Sequence, residues 1–130
     1  TLHACDTATD FALYNAVTWG ARLIMSVPCC QHEVCSSMGA SELKILERYG
    51  LIKERASALF TDAIRANMLI TKGYSTKVLE FVDMSHTPKN VLIRAVKASI
   101  PEKAKKEALE EVEVLLGHIG CEPTIYRLLK

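Results

Sequence analysis

Leu23-Ile24-Met25-Ser26-Val27 is the stretch that most limits what this chain can fold into. A short apolar run ended by Pro28 reads as a buried strand, placed over Arg22–Val27. Upstream, Phe11, Leu13, Tyr14 and Val17 carry the apolar positions of a helix, and Gly20 suits its C′ position. Thr7-Ala8-Thr9-Asp10 has the pattern of a capping box, with Thr7 as N-cap and Asp10 at N3. Thr1-Leu2-His3-Ala4-Cys5-Asp6 reads as the tail of an earlier strand entering that helix. The order is β-α-β, and a crossover of about 12 residues joins parallel strands. In open α/β sheets ligands gather beyond the carboxyl ends of the strands. Val27-Pro28-Cys29-Cys30-Gln31-His32-Glu33 is therefore the first place to look for chemistry.

The rest of the chain alternates in the same way. Cys35–Gly39 is small and polar and reads as a loop. Ser41 caps a short helix, Glu42–Tyr49, closed by Gly50. A longer helix, about 51–72, carries Leu51, Ile52, Leu59, Phe60, Ile64, Met68 and Leu69 at helical spacing, and Gly73 ends it. Lys77–Asp83 and Val91–Lys97 are β-rich runs that pair antiparallel, joined by Met84-Ser85-His86-Thr87-Pro88-Lys89-Asn90. That link is long for a minimal hairpin, which leaves its tip available for contacts. Ser99-Ile100-Pro101-Glu102 is a second capping box, opening a helix to Leu116 that buries Leu109, Val112, Leu115 and Leu116.

Composition narrows the class. With 130 residues, 49% hydrophobic content and a net charge of +1, the chain suits one globular domain, 1–130, with no global pull toward nucleic acid or membrane. No apolar run approaches the ~18 residues of a membrane helix. Five cysteines, two of them adjacent, do not form a secreted disulfide pattern and point to a reducing cytoplasm. The start at Thr1, mid-motif and without an initiator Met, leads to the expectation of a fragment whose upstream half is absent.

Three chemistries compete at the Cys-rich turn. Cys29, Cys30, His32 and Cys35 are soft or borderline ligands close in sequence, but structural zinc sites draw pairs from separated knuckles. A cysteine nucleophile needs a base or a positive environment, for which His32 is the nearest candidate. The third reading is the rim of a substrate pocket. Asp10 is explained by the helix start; Asp6 is less so, and an Asp just past a strand end commonly meets a polar ligand group. Lys53, Arg55 and Arg65 on the long helix read as a solvated face in preference to phosphate binding. His86, Lys89 and Asn90 flank a rigid Pro88, where substrate contact and ordinary turn chemistry weigh equally.

Taken together, His3-Ala4-Cys5-Asp6-Thr7-Ala8-Thr9-Asp10 resembles the H-x-C-G-x-A-T-D segment after the fourth strand of a family of class I S-adenosylmethionine (SAM)-dependent methyltransferases. Pro28-Cys29-Cys30-Gln31-His32 is similar to that family's C-C-H-H turn after the fifth strand. The family includes eukaryotic tRNA 2′-O-methyltransferases and a bacterial branch. The bacterial branch is also similar through Tyr49–Arg55, Thr61–Ala66, Glu80–Asp83 and His86–Asn90. Asp6 stands where the tRNA enzymes tend to have Gly, and Gln31 where they tend to have His.

The resemblance implies an α/β fold: strands four to seven of a Rossmann-like seven-stranded sheet, the last strand antiparallel. It implies SAM as cofactor, although no GxGxxG-like loop occurs in the 130 residues. Cys5, Asp6 and Thr7 would face the methionine end of SAM. His32 or Asp6 would be the base. Pro28, Cys29, Cys30 and Gln31 would shape the acceptor pocket, and Lys53, Arg55, His86, Lys89 and Asn90 would hold a larger substrate such as RNA. The expectation is a methyltransferase that is inactive as this piece alone, with no bound metal and no membrane partner, and a homodimer through the exposed sheet edge. A catalytically dead scaffold and a small zinc module are the competing classes.

Overall fold

Residues 5–39, 43–80 and 90–130 are described by the computed structural model of the chain. The apolar run after Gly20 forms β1 (Leu23–Ser26), with Ile24 and Ser26 buried and Leu23 and Met25 exposed, the period of a half-buried strand. Its partner is β3 (Val91–Lys97), which also pairs with β2 (Tyr74–Glu80). The sheet has the order β1-β3-β2 and both pairings are antiparallel. Central β3 sets Ile93 opposite Ser26 and Val78, and Ala95 opposite Ile24 and Thr76; both β3 residues are fully buried.

The described residues thus form a mixed α/β fold with a small three-stranded antiparallel sheet. The expected last strand is antiparallel. The expected strand ahead of Asp6, and the parallel crossover that depends on it, fall on Thr1–Ala4, outside the described residues. So do His86 and Lys89.

The helices are α1 (Thr7–Thr18), α2 (His32–Ser37), α3 (Lys44–Glu47), α4 (Gly50–Thr71), α5 (Glu102–Ile119) and α6 (Thr124–Leu129). α4 is the hub, packing on α2, α5, α6 and β2. Its buried residues Ser57, Thr61, Ile64, Met68 and Leu69 recur at spacings of three and four, one stripe of a helix. Full burial of Ile64, Met68 and Leu69 is worth about 1.5–3 kcal/mol each. Gly73, at φ 86, turns α4 directly into β2, and Ala98 N–H donates to its carbonyl at 3.0 Å.

Several boundaries differ from the sequence reading. Asp6, not Thr7, is the N-cap of α1, and Thr7 is its first helical residue. Asp10 is drawn inward to an arginine and does not serve as a capping-box acid. Pro101 stands at the N-cap of α5 and Glu102 begins the helix, so the second box does not form; α5 continues past Leu116 to Ile119. Cys35 to Ser37, read as loop, are helical in α2, and Gly50 opens α4 where a stop was expected. Ser41 and Glu42 lie outside the described residues. The short terminal helix α6, after Pro123, was not foreseen.

Candidate functional site

The approach to α1 is a tight turn. Ala8 N–H donates to the Cys5 carbonyl at 3.0 Å, closing Cys5-Asp6-Thr7-Ala8. Asp6 is the one non-glycine residue at positive φ among the described residues, at φ 50 and ψ −121. Those angles are those of the first central position of a type II′ turn, which favours Gly. Asp6 holds there because it is tied down at both ends. Its carbonyl accepts Arg65 Nη2 at 2.9 Å and Thr9 N–H at 3.1 Å, while its Oδ1 accepts the backbone N–H of Glu33 at 3.1 Å.

That last bond brings the two sequence-predicted turns together. Glu33 follows His32, so the Asp6 carboxylate lies beside the Pro28–His32 turn at the start of α2. Pro28 is buried, Cys29 and Cys30 are half-buried, and His32 is exposed. Gln31 is buried at the N-cap of α2, and its Nε2 donates to Asp62 Oδ2 at 3.1 Å. Below the turns, Arg65, fully buried, binds Asp10 Oδ1 through Nε at 2.6 Å and Asp62 Oδ1 through Nη1 at 3.0 Å. One guanidinium serves two carboxylates, which leaves a formal charge of −1. Burial accordingly outweighs Arg65 and raises both Asp10 and Asp62 above the usual carboxylate value.

The reading of Arg65 as a solvated residue is thus corrected. The signal was present: Arg65 lies one position after Ile64 and three and four before Met68 and Leu69, inside the apolar stripe of α4. An arginine on a buried stripe requires acidic partners. Asp62, at i−3, supplies one, and Asp10 of α1 supplies the other.

A second anchor runs from Glu33. Its carboxylate accepts Thr124 N–H at 2.8 Å, the Thr124 hydroxyl at 2.7 Å and Arg127 Nη2 at 2.9 Å. The C-terminal helix α6 is thereby fastened to the residue that holds Asp6.

Other predicted residues stand apart. Lys53 is half-buried and Arg55 exposed near the start of α4. At 1.5 Å per residue they lie about 18 and 15 Å along the axis from Arg65. Asn90 is buried just ahead of β3. A groove of about 500 Å³, lined by Glu113, Leu116, Gly117, Gly120, Cys121 and Tyr126 among others, includes no residue of either turn.

The cysteines regroup. The sulfurs of Cys5, Cys29 and Cys30 lie within 4.8 Å of one another, with Cys5 and Cys29 3.8 Å apart. His32 and Cys35 are not in that group, so the four-ligand set Cys29, Cys30, His32, Cys35 does not assemble. Burial, then the Cys30 and Cys5 thiols, pushes Cys29 up to about 11, which favours its thiol over its thiolate at neutral pH in the metal-free chain.

A family model described as "Methyltransferase domain" matches residues 1–37, which span both turns. The match supports a methyltransferase domain. No curated protein and no solved structure matches the chain. The structure supplies what a sequence match cannot: the hydrogen bond from Glu33 to Asp6 inside the matched segment and, from α4 outside it, the Arg65 clamp on the Asp6 carbonyl. No helix among the described residues is long and apolar enough to cross a membrane.

Proposed function

We propose that residues 1–130 are the C-terminal part of a SAM-dependent methyltransferase domain, a cytoplasmic enzyme acting on RNA, with tRNA among the candidate acceptors. The observation that carries the reading is the union of the two turns inside the matched segment, Asp6 at one and His32 at the other, joined through the N–H of Glu33. The residues at the first turn suit SAM. Cys5 is exposed, Asp6 and Thr7 are half-buried, and a carboxylate complements the cationic methionine end of that cofactor. SAM, when bound, supplies an electrophilic methyl group on its sulfonium.

This chain's residues align the acceptor and take its proton. Asp6 already accepts a backbone N–H, which makes it a positioning carboxylate and leaves exposed His32 as the base for a hydroxyl acceptor. Pro28, Cys29 and Cys30 form the pocket rim, with Gln31 buried beneath them. Lys53 and Arg55 lie too far along α4 for a small acceptor but within the reach of an RNA strand; His86 and Lys89 would add contacts to such a substrate, whereas Asn90, buried ahead of β3, would not. The main SAM loop belongs to a segment other than these 130 residues, so this piece alone is inactive.

Calorimetry with SAM, on this chain and on a chain extended upstream, tests the reading. Binding by the extended chain alone is expected, together with methyl transfer to RNA that His32→Ala abolishes. If neither chain binds SAM, the half-fold is a scaffold and the enzyme reading fails.

A further inference from the structure

Cys29 and Cys30 are neighbours, and in an extended strand their side chains would point to opposite faces. Here β1 has ended at Ser26, Pro28 fixes the backbone, and the two cysteines stand in irregular chain ahead of α2. Both sulfurs can then face the same partner, Cys5, which arrives from the turn before α1. The two turns are held in place by bonds that use none of the three thiols: Glu33 N–H to Asp6 Oδ1, Arg65 to the Asp6 carbonyl, and Gln31 to Asp62. The cysteines are thus presented by a braced frame and need not assemble themselves.

From this geometry we infer a metal site: Cys5, Cys29 and Cys30 form a three-thiolate site for a thiophilic cation such as Zn²⁺. With Zn–S bonds of about 2.3 Å, tetrahedral geometry sets neighbouring sulfurs about 3.8 Å apart. Cys5 and Cys29 are already 3.8 Å apart, and each remaining pair is within 4.8 Å, so closure needs movements of about 1 Å at most. A disulfide would require about 2.05 Å, a far larger approach. Cys5 is exposed, so the fourth position opens to solvent and takes a water. Binding replaces each S–H bond with a metal–sulfur bond and releases the protons to solvent, so affinity falls as pH is lowered. These are the thiols that the methyltransferase reading places beside the cofactor and the acceptor, so a bound cation would occupy that pocket, but the titration below uses no SAM and reads the metal site by itself.

The test is a Zn²⁺ titration of this chain against a competing chelator, in anaerobic buffer with a phosphine reductant. Co²⁺ serves as the spectroscopic probe. Expected are about one Zn²⁺ per chain, a thiolate-to-Co²⁺ charge-transfer band, and a thermal midpoint that rises with Zn²⁺ concentration. Cys5→Ser, Cys29→Ser and Cys30→Ser should each weaken binding by more than the ~10–100-fold that loss of an outer-shell partner costs. Cys35→Ser and Cys121→Ser should bind as the parent does. Circular dichroism of each variant without metal separates loss of a ligand from loss of the fold, and the parent's charge-transfer band stands whether or not a variant folds. The inference is overturned if the parent binds well under a tenth of an equivalent, if folded Cys29→Ser or Cys30→Ser keeps full affinity, or if Cys35→Ser loses as much as they do.

Discussion

Asp6 is held in a backbone conformation that favours glycine, and the opposing energies can be separated by substitution. Strain at such a position is worth about 1–3 kcal/mol. The Oδ1 bond to Glu33 N–H involves a charged acceptor and returns about 1.5–3 kcal/mol. Asp6→Ala removes the bond and keeps the strain; Asp6→Gly removes both. Urea unfolding should therefore find Asp6→Gly more stable than Asp6→Ala by about 1–2 kcal/mol. Equal stabilities would show that position 6 carries no strain. The turn asks for Gly, and this chain uses Asp with a compensating bond. Asp6→Asn keeps an acceptor and tolerates positive φ, so it should stay within about 1 kcal/mol of the parent.

At the scale of elements, α4 is legible in the sequence, and so is the burial of Arg65 on its apolar stripe, but the partners of Arg65 are not. Ile64, Met68 and Leu69 mark the buried stripe by spacing alone, and the helix expected over 51–72 forms over Gly50–Thr71. The partners of Arg65 come from α1 and from its own helix, and only the fold brings Asp10 within 2.6 Å of it. The capping boxes mislead for a related reason. A Thr-x-x-Asp pattern describes local competition for N–H groups, whereas Asp10 satisfies a buried guanidinium 55 positions away. Arg65→Ala would leave two buried carboxylates without a cation, at a cost of about 3–5 kcal/mol in urea unfolding. Arg65→Lys restores charge without the fork that reaches Asp10, Asp62 and the Asp6 carbonyl at once, and should recover less than half of that loss. Helix α6 depends on Glu33 in the same way. Glu33→Ala should raise amide hydrogen exchange across Thr124–Leu129 by about 10-fold or more, since loss of charged bonds worth about 1.5–3 kcal/mol each loosens that helix first.

Across the whole molecule, the long helices α1, α4 and α5 and the final strand pair follow from sequence pattern, while the short helices α2 and α6 and the joining of the two turns depend on contacts contributed by several elements. The buried charge around Arg65 gives the protein a measurable pH signature. Asp10 and Asp62 are both raised in the folded chain, chiefly by burial and against the pull of Arg65. The native state therefore binds more protons than the unfolded chain between the ordinary Asp value of 3.8 and the raised values. Their contribution to stability is fully present below 3.8 and is lost as pH rises through the folded values. This is opposite in sign to an exposed, salt-bridged Asp, whose contribution disappears on acidification. Other carboxylates titrate over the same range, so the comparison must be internal. Asp10→Asn fixes one site in a neutral form, and the stability of the parent relative to this variant should decline as pH is raised from about 4 toward 7. Urea midpoints for both proteins across that range measure the slope. A relative stability that instead rises with pH would mean that Arg65 holds Asp10 below its ordinary value, and that the buried pair gains more from attraction than it loses to burial.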